Sequence, residues 1–293
     1  MLDSLLLGGV AALSLGCSDF LARFTSLRLG AVQAFTYVVV TGALLMTVLV
    51  VIARPELTFT TTGVSLAVIH GLCVTAMSIM LYAALARGPI GLAVPIVAAH
   101  PVLVLFHEFA AGTSQLSLQQ ALAAAIVVAG VISASLLEFH AGTEQHNAGA
   151  PPRGGKGGTV LLALGACVAY ALLIIFGQSA AAEIGQIGAA WLGRLSSAGV
   201  LLLAAAAGLV RLAKPWPCAR PLLAQGVLDT LGYVALLAGG LTLFPGITAV
   251  VASLFGFLTI LLARFIIGEP VGRFQWVAIM VSFGGIAWLA SGH

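Results

Sequence analysis

The segment EFHAGTEQHNAGAPPRGGKGG, residues 138–158, is the one long polar stretch in a strongly apolar chain. It is rich in glycine, proline and charge, which is typical of a flexible linker. Of the 293 residues, 61% are hydrophobic and 7% are charged, and the mean hydropathy is +1.15. A soluble domain carries about 25% charged residues, so we predict an integral membrane protein.

On both sides of this linker, apolar runs of about 20 residues alternate with short polar breaks, which indicates membrane-spanning helices. Barrel strands would instead appear as segments of about ten residues with alternating polarity. The predicted fold class is an all-α integral membrane protein with ten transmembrane helices. The spans lie near residues 4–24, 31–53, 63–86, 89–109, 116–137, 159–181, 187–210, 219–240, 245–266 and 271–290.

Five spans on each side of the linker predict an internal duplication, with repeats at residues 1–137 and 159–293. Shifting the second half back by 155 positions aligns the last two spans of each half. The residues that then coincide are Gly91 with Gly246, Leu103 with Leu258, Gln120 with Gln275, and Gly130 with Gly285. Because each half has an odd number of helices, the two repeats must be inverted. Inverted repeats recur in secondary transporters, whose substrate site lies at the repeat interface, so we expect a central cavity there.

Two segments, LYAALARGPIGLAVPI (81–96) and FIIGEPVGRFQWVAIMVSFGGIAWL (265–289), resemble the EamA-type repeats of the drug/metabolite transporter superfamily. The most recognisable feature is the turn Gly268-Glu269-Pro270 before a final Gly-Gly helix, whereas the first repeat has Ser114 in place of Glu269. The resemblance implies a multi-pass protein of the bacterial inner membrane that exports metabolites or amino acids. Aromatic amino-acid exporters are the members it is most similar to.

Lysine and arginine are concentrated on one set of loops, which should face the cytoplasm. That set carries Arg23, Arg28, Arg87, Arg153, Lys156, Arg211, Lys214, Arg220, Arg264 and Arg273. The opposite loops carry Arg54 and little else, so this rule places both termini outside the cell. Members of the resembled superfamily are usually drawn with both termini inside, and both orientations stay open.

Ionisable residues inside the spans are candidates for function, because each costs roughly 2.5–3.5 kcal/mol at the bilayer centre. His100 lies in the middle of the fourth span and precedes Pro101, which permits a kink. It either lines a cavity, where it donates to a substrate carboxylate or exchanges a proton, or forms a neutral hydrogen bond between helices.

Asp229 of the eighth span shares a helix face with Gln225 and Tyr233, one turn on either side. This polar stripe is unsuited to contact with lipid. Asp229 either binds an amino group, carries a coupling proton, or forms a structural ion pair with Arg194 of the seventh span.

Asp19 of the first span is the second candidate for proton coupling, because smaller members of the resembled superfamily carry such a carboxylate on their first helix. The alternative is an ion pair along the helix with Arg23, four residues further on.

Aromatic, methionine and polar side chains on several spans would suit a cavity for an apolar or aromatic substrate. For any single one the alternative is simple packing, or interface anchoring in the case of Trp191. The predicted substrate-binding residues are His70, Met77, Ser78, Tyr82, His100, Tyr170, Trp191, Gln225, Asp229 and Tyr233. Bends are expected near Pro89, Pro95, Pro101 and Pro245.

Enzyme and metal chemistry are not indicated. His107-Glu108 begins the zinc motif H-E-x-x-H, but Ala111 stands where the second histidine is needed. His107 and Glu108 are instead expected at the end of the fourth helix. The four cysteines form no C-x-x-C pair. No cofactor, metal or nucleic acid is expected; the expected partners are the lipid bilayer, a small-molecule substrate such as an amino acid, and protons, for a monomer or a homodimer.

The function predicted from these features is a secondary transporter that exports small metabolites, most of all aromatic or other apolar amino acids, by alternating access. An uncoupled facilitator or channel is the alternative. A channel needs polar groups along one continuous path, whereas the polar residues here cluster near mid-depth on several helices.

Overall fold

The computed structural model describes residues 1–112, 117–141, 155–212, 214–243 and 245–291. Every regular element within these ranges is helical. The α-helices are α1 (Leu2–Leu29), α2 (Ala31–Ala53), α3 (Thr61–Arg87), α4 (Ile90–Ala98), α5 (His100–Ala110), α6 (Leu118–Ala141), α7 (Lys156–Ile184), α8 (Gln186–Ala206), α9 (Ala219–Gly240), α10 (Pro245–Ala252), α11 (Phe255–Leu262) and α12 (Arg273–Ser291). A 3₁₀ turn at Trp216–Cys218 precedes α9, and a π turn at Ala263–Ile267 follows α11.

These helices form the ten predicted spans, because α4 with α5 makes the fourth span and α10 with α11 makes the ninth. Nine segments of the described chain are long and apolar enough to cross a bilayer, and Arg273–Leu289 is a shorter apolar helix. The predicted class, an all-α multi-pass membrane protein, is confirmed. The predicted linker is shorter than expected, since α6 reaches Ala141 and α7 begins at Lys156. Residues 142–154, with Arg153, and the position of Ser114 lie outside the described residues.

The first and sixth spans are longer than predicted, at 28 and 29 residues. About 20 residues suffice to cross a bilayer, so these helices must tilt or protrude. Each ends only at a glycine with a positive φ angle, 88° at Gly30 and 76° at Gly185. Side chains rarely adopt this conformation. Each glycine is also the N-cap of the next helix, so one residue reverses the chain.

The fourth and ninth spans are interrupted at equivalent positions. In the fourth span, Ala99 adopts a turn whose N–H donates to Ile96 O. In the ninth span, Leu254 adopts nearly the same angles and donates to Val251 O. The bend expected at Pro245 is therefore misplaced, because Pro245 begins α10 and the interruption lies at Ser253–Leu254, without a proline. Helix breaks away from lipid are typical of transporter interiors.

The described helices of the two halves begin at matching positions. Subtracting 155 from the first residues of α7–α12 reproduces the starts of α1–α6 to within three residues. Equivalent helices also make equivalent contacts. For example, α3 packs on α7 and α8, and its counterpart α9 packs on α1 and α2. Likewise α1 contacts α10 and α11, α7 contacts α4 and α5, and α6 contacts its own counterpart α12. This symmetry supports the repeats that we propose at residues 1–137 and 159–293.

Gly71 lies at one of these crossings and provides a test of the packing. A Cβ at Gly71 would collide with Ser196 Oγ and the backbone oxygen of Gly193, whereas Gly199 has open space around it. We expect Gly71→Ala to destabilise the protein by about 1–3 kcal/mol, the usual cost of overpacking. The matched control Gly199→Ala should be neutral or stabilising by up to about 1 kcal/mol. Thermal unfolding in detergent micelles measures both, and equal effects would contradict the crossing.

Candidate functional site

A central cavity of about 690 Å³ lies between the two halves. Several of its lining residues occur in pairs that are 155 positions apart. These pairs are Leu15 with Tyr170, Val74 with Asp229, Ser78 with Tyr233, Ala98 with Ser253, and His100 with Phe255. Lining residues at equivalent positions of both halves indicate that the cavity lies at the interface of the proposed repeats. Because each pair differs in chemistry, the site itself is asymmetric.

An ion pair crosses the cavity wall between α8 and α9. Arg194 Nη1 donates to Asp229 Oδ2, and the guanidinium carbon lies 5.0 Å from the centre of the Tyr233 ring. The Arg194 side chain is 9% exposed and that of Asp229 is 25% exposed. The guanidinium is therefore enclosed by its partner and an aromatic face, a favourable arrangement for a cation, while the carboxylate faces the cavity more openly. The ion pair predicted as one alternative is present.

His100 begins α5 and stacks on Tyr170 of α7, with ring centroids 3.8 Å apart and an interplanar angle of 19°. Its Nδ1 lies 3.1 Å from Val97 O. Because a carbonyl oxygen can only accept, Nδ1 carries the proton. In the neutral ring Nε2 is then an acceptor, and within the described residues it has no hydrogen-bond partner. His100 thus combines a helix-to-helix contact with an open acceptor in the cavity wall.

His70 of α3 is held more tightly than His100. Its Nδ1 donates to Leu173 O over 2.7 Å, and its ring is enclosed by two glycines, Gly177 of α7 and Gly193 of α8. A Cβ at either glycine would collide with the imidazole. The ring therefore joins three helices, and His70 also lines the cavity.

The floor of the cavity is a buried hydrogen-bonded network. Phe35 of α2 packs edge-to-face on Tyr82 of α3, with centroids 5.6 Å apart. Gln225 Nε2 donates to the Tyr82 hydroxyl over 2.6 Å, and Thr25 Oγ1 donates to Gln225 Oε1 over 2.9 Å. Ser18 Oγ donates to the backbone oxygen of Gln225. This network ties α1, α3 and α9 together and closes the cavity at that depth.

A second closure lies beyond the floor, on the face that carries most of the basic residues, here called the basic face. Arg23 Nη1 of α1 lies 3.3 Å from Glu269 Oε2, in the loop before α12. Glu269 Oε1 accepts from the Gly91 N–H over 3.1 Å, near the start of α4. The carboxylate joins three elements from both halves, and we call this group, Arg23, Glu269 and Gly91, the latch.

The cavity extends in the opposite direction, to the face that holds both termini, here called the terminal face. Glu108 and Gln178, near the ends of α5 and α7, line both the central cavity and an adjoining cavity of about 430 Å³. His107 and Ser179 line only the adjoining one. These polar side chains form the mouth. His107 and Glu108 lie in the last turns of α5, as expected.

The structure brings most of the predicted substrate-binding residues together. Those that line the central cavity are His70, Met77, Ser78, His100, Tyr170, Asp229 and Tyr233. It does not bring the other three to the wall: Tyr82 and Gln225 lie in the floor, and Trp191 Nε1 donates to Thr47 Oγ1 instead. The periodicity of the sequence predicts which side chains share a helix face, but the depth of the cavity depends on how the helices pack against one another.

The ion pair expected as one alternative for Asp19 does not form, because Arg23 pairs with Glu269. Asp19 is half-buried on α1, outside the cavity wall, and its charge interacts with that of Asp229.

Several lining residues were not identified from the sequence, among them Phe255, Ser253 and Ile286. The offset of 155 would have pointed to Phe255 from His100. Ile286 carries no signal that separates it from ordinary lipid-facing residues. The described residues contain no group of three or more histidine, cysteine, aspartate or glutamate side chains placed to hold a metal ion.

A ten-span helical protein with a cavity between two matched halves has the architecture of a small-molecule transporter. Residues 157–291 match the EamA-like transporter family. This match confirms the resemblance to the family for the second half of the chain. The protein is therefore a membrane transporter of small molecules.

Sequence comparison finds no match among curated proteins. Among 18 matching chains of solved structures is a crystal structure that carries no more specific description than "protein". It superposes with a TM-score of 0.62, at 17% identity, over 97% of this chain and 95% of its own. At that identity the likeness shows a shared fold.

Proposed function

We propose that the protein is a secondary transporter that exports small metabolites, most of all aromatic or other apolar amino acids, by alternating access. The observation that carries this proposal is a cavity at the repeat interface that reaches one face while a floor and a latch close the other. A carrier needs such a closure to change sides. The latch joins the halves through two hydrogen bonds, Arg23 to Glu269 and Gly91 to Glu269, and such contacts can break and re-form.

The repeat symmetry supports the opposite state as well. In inverted repeats, the second state forms when each half adopts the arrangement of the other. The counterpart of Arg23 is Gln178, which lies at the open mouth. In a state closed at the terminal face, Gln178 would take part in the closure of that face, in the position equivalent to that of Arg23 in the latch. Because Gln178 is uncharged, that closure lacks the ion pair, and the resting protein favours the state closed at the basic face.

The charge bias of the loops favours a cytoplasmic basic face. In that orientation the cavity faces outward, as in an exporter after substrate release. We propose Asp229 and Asp19 as the candidate coupling carboxylates. Both lie within the membrane, and their charges interact, so a proton on one changes the affinity of the other for a cation.

Flux measurements in proteoliposomes test the proposal. Radiolabelled aromatic amino acids should accumulate against their gradient only when a pH gradient is imposed. We expect Asp229→Asn or Asp19→Asn to abolish accumulation, and His100→Ala to weaken substrate binding through loss of its acceptor and its stacking on Tyr170. Glu56→Gln, on an exposed loop, is the matched control and should transport normally.

The alternative, an uncoupled facilitator or channel, gives a different result. A facilitator would equilibrate substrate without accumulation in both the wild type and the carboxylate variants. A channel would show flux that does not saturate. The closed floor favours the carrier, since a channel needs a continuous path.

A further inference from the structure

We propose that the central cavity recognises a cationic nitrogen on an apolar body, so that an arylalkylamine is bound at least as tightly as the amino acid with the same side chain. This inference rests on the proposed function, because it names the substrate class of the same cavity. The inference also goes beyond the proposed function, because an amino-acid carrier would be expected to need the substrate carboxylate.

The charge of the wall is the first observation. Two carboxylates, Asp229 and Glu108, line the cavity against one guanidinium, that of Arg194. Because Asp229 is the more exposed member of its ion pair, its carboxylate presents negative charge to the cavity, and this attracts cations and repels anions more strongly than it would in bulk water.

The position of Arg194 is the second observation, because this is the one arginine or lysine in the described wall that could hold a carboxylate. Its guanidinium is bound to Asp229, lies against the Tyr233 ring, and reaches Gly42 of α2 so closely that a Cβ there would lie 2.9 Å from Nη1. It therefore acts as a tie between α2, α8 and α9. Asp229 is the more exposed partner, and within the described residues its Oδ1 has no hydrogen-bond partner.

The uncharged polar atoms are the third observation. His100 presents Nε2 as an acceptor in its neutral form, because its proton is held on Nδ1 by Val97 O. The Ser253 hydroxyl donates to Val250 O over 2.7 Å, which leaves its oxygen to accept. Together with Asp229 Oδ1, these atoms are acceptors that the cavity wall offers to the N–H donors of an ammonium group.

The rest of the wall suits an apolar body. The same cavity is lined by Val74, Met77, Leu105, Phe255 and Ile286. Its volume of about 690 Å³ lies within the range that holds a drug-sized molecule. Aromatic faces in the wall also attract cations. The hydroxyls of Tyr170 and Tyr233 are the groups that could hold a carboxylate instead, and the experiment distinguishes the two cases.

Calorimetric titration of the purified full-length protein in detergent, with three probes that share one indole body, tests the inference. The probes are tryptamine, tryptophan and indole-3-propionate. We expect tryptamine to bind at least as tightly as tryptophan, and indole-3-propionate to bind at least tenfold more weakly. Indole-3-propionate equal to tryptamine, tryptophan more than tenfold tighter than tryptamine, or no binding of any probe would overturn the inference.

Asp229→Asn adds a result that misfolding cannot imitate. The substitution leaves the guanidinium of Arg194 without its carboxylate, so the preference should invert. Tryptamine should lose at least tenfold in affinity and indole-3-propionate should become the tighter ligand. Asp229→Glu should keep the preference for tryptamine, and Glu56→Gln is the matched control. An unchanged preference in Asp229→Asn would overturn the inference, and the wild-type ranking stands as a test even if this variant fails to fold.

Failure of the inference and failure of the proposed function give different results. Tight tryptamine binding without saturable flux in proteoliposomes would contradict the proposed transport function and support the recognition of cations. Saturable amino-acid flux that tryptamine does not inhibit would overturn the recognition of cations and leave transport supported.

Discussion

Arg194→Met should lower the stability of the folded protein by about 3 kcal/mol, the lower part of the range for removal of one partner from a buried ion pair. The remaining carboxylate of Asp229 would have no counter-charge within the membrane. The cost falls in the lower part of the range because the Asp229 side chain is 25% exposed and keeps contact with the water of the cavity. Unfolding in mixed micelles of increasing denaturing detergent measures the change.

The double variant Arg194→Met/Asp229→Leu separates a lost charge pair from lost packing. Replacing both partners of a buried pair with apolar residues is often neutral or stabilising, so the double variant should recover most of the stability. Arg220→Met, which removes an exposed arginine at the start of α9, should change stability by less than about 0.5 kcal/mol. A double variant less stable than Arg194→Met would show that packing, and not charge, is the main contribution of Arg194.

Glu269→Gln should open the basic face. Glu269 is 8% exposed on its side chain and Arg23 is 20% exposed, so the pair is partly shielded from water. A hydrogen bond to a charged group contributes about 1.5–3 kcal/mol, which corresponds to a population shift of about 10- to 150-fold. The state closed at the basic face should therefore no longer be the most populated state.

Spin labels at Arg28 and Arg273, both exposed on the basic face, can report this opening. In a background without the four native cysteines, the distance distribution should gain a longer component in Glu269→Gln. Glu183→Gln is the matched control, because it removes an exposed hydrogen bond from Thr60 at the terminal face and should leave the distribution unchanged. An identical distribution in Glu269→Gln and the wild type would show that the floor alone closes this face.

Much of the fold could be predicted from the sequence because it depends on local properties. The length and polarity of each apolar run set the number of spans, and two of the predicted spans, Ala31–Ala53 and Ala219–Gly240, have the observed ends. The spans bounded by Gly30 and Gly185 are longer than predicted, since an apolar helix continues until a residue stops it. The interruption at Leu254 has no proline and could be found only through its equivalence to Ala99.

The candidate site was predictable in part for the same reason. A polar residue in an apolar span must avoid lipid, which selected His70, His100 and Asp229. It does not follow that each one lines a cavity. Gln225 satisfies the same condition by hydrogen bonding in the floor, and Trp191 by bonding to Thr47. Polarity alone does not separate a residue that meets a ligand from one that closes the space beneath it.

The sequence by itself determined that this protein is a multi-pass helical membrane protein and predicted two five-span repeats, because hydropathy and repeat spacing are properties of the linear chain. Only the tertiary structure decided which charges pair. Asp19 and Arg23 are one helical turn apart, yet Arg23 bonds to Glu269, 246 residues further along the chain. The physical reason is that an ion pair within the membrane depends on which helices pack together, and the two halves must fold against each other before those partners meet.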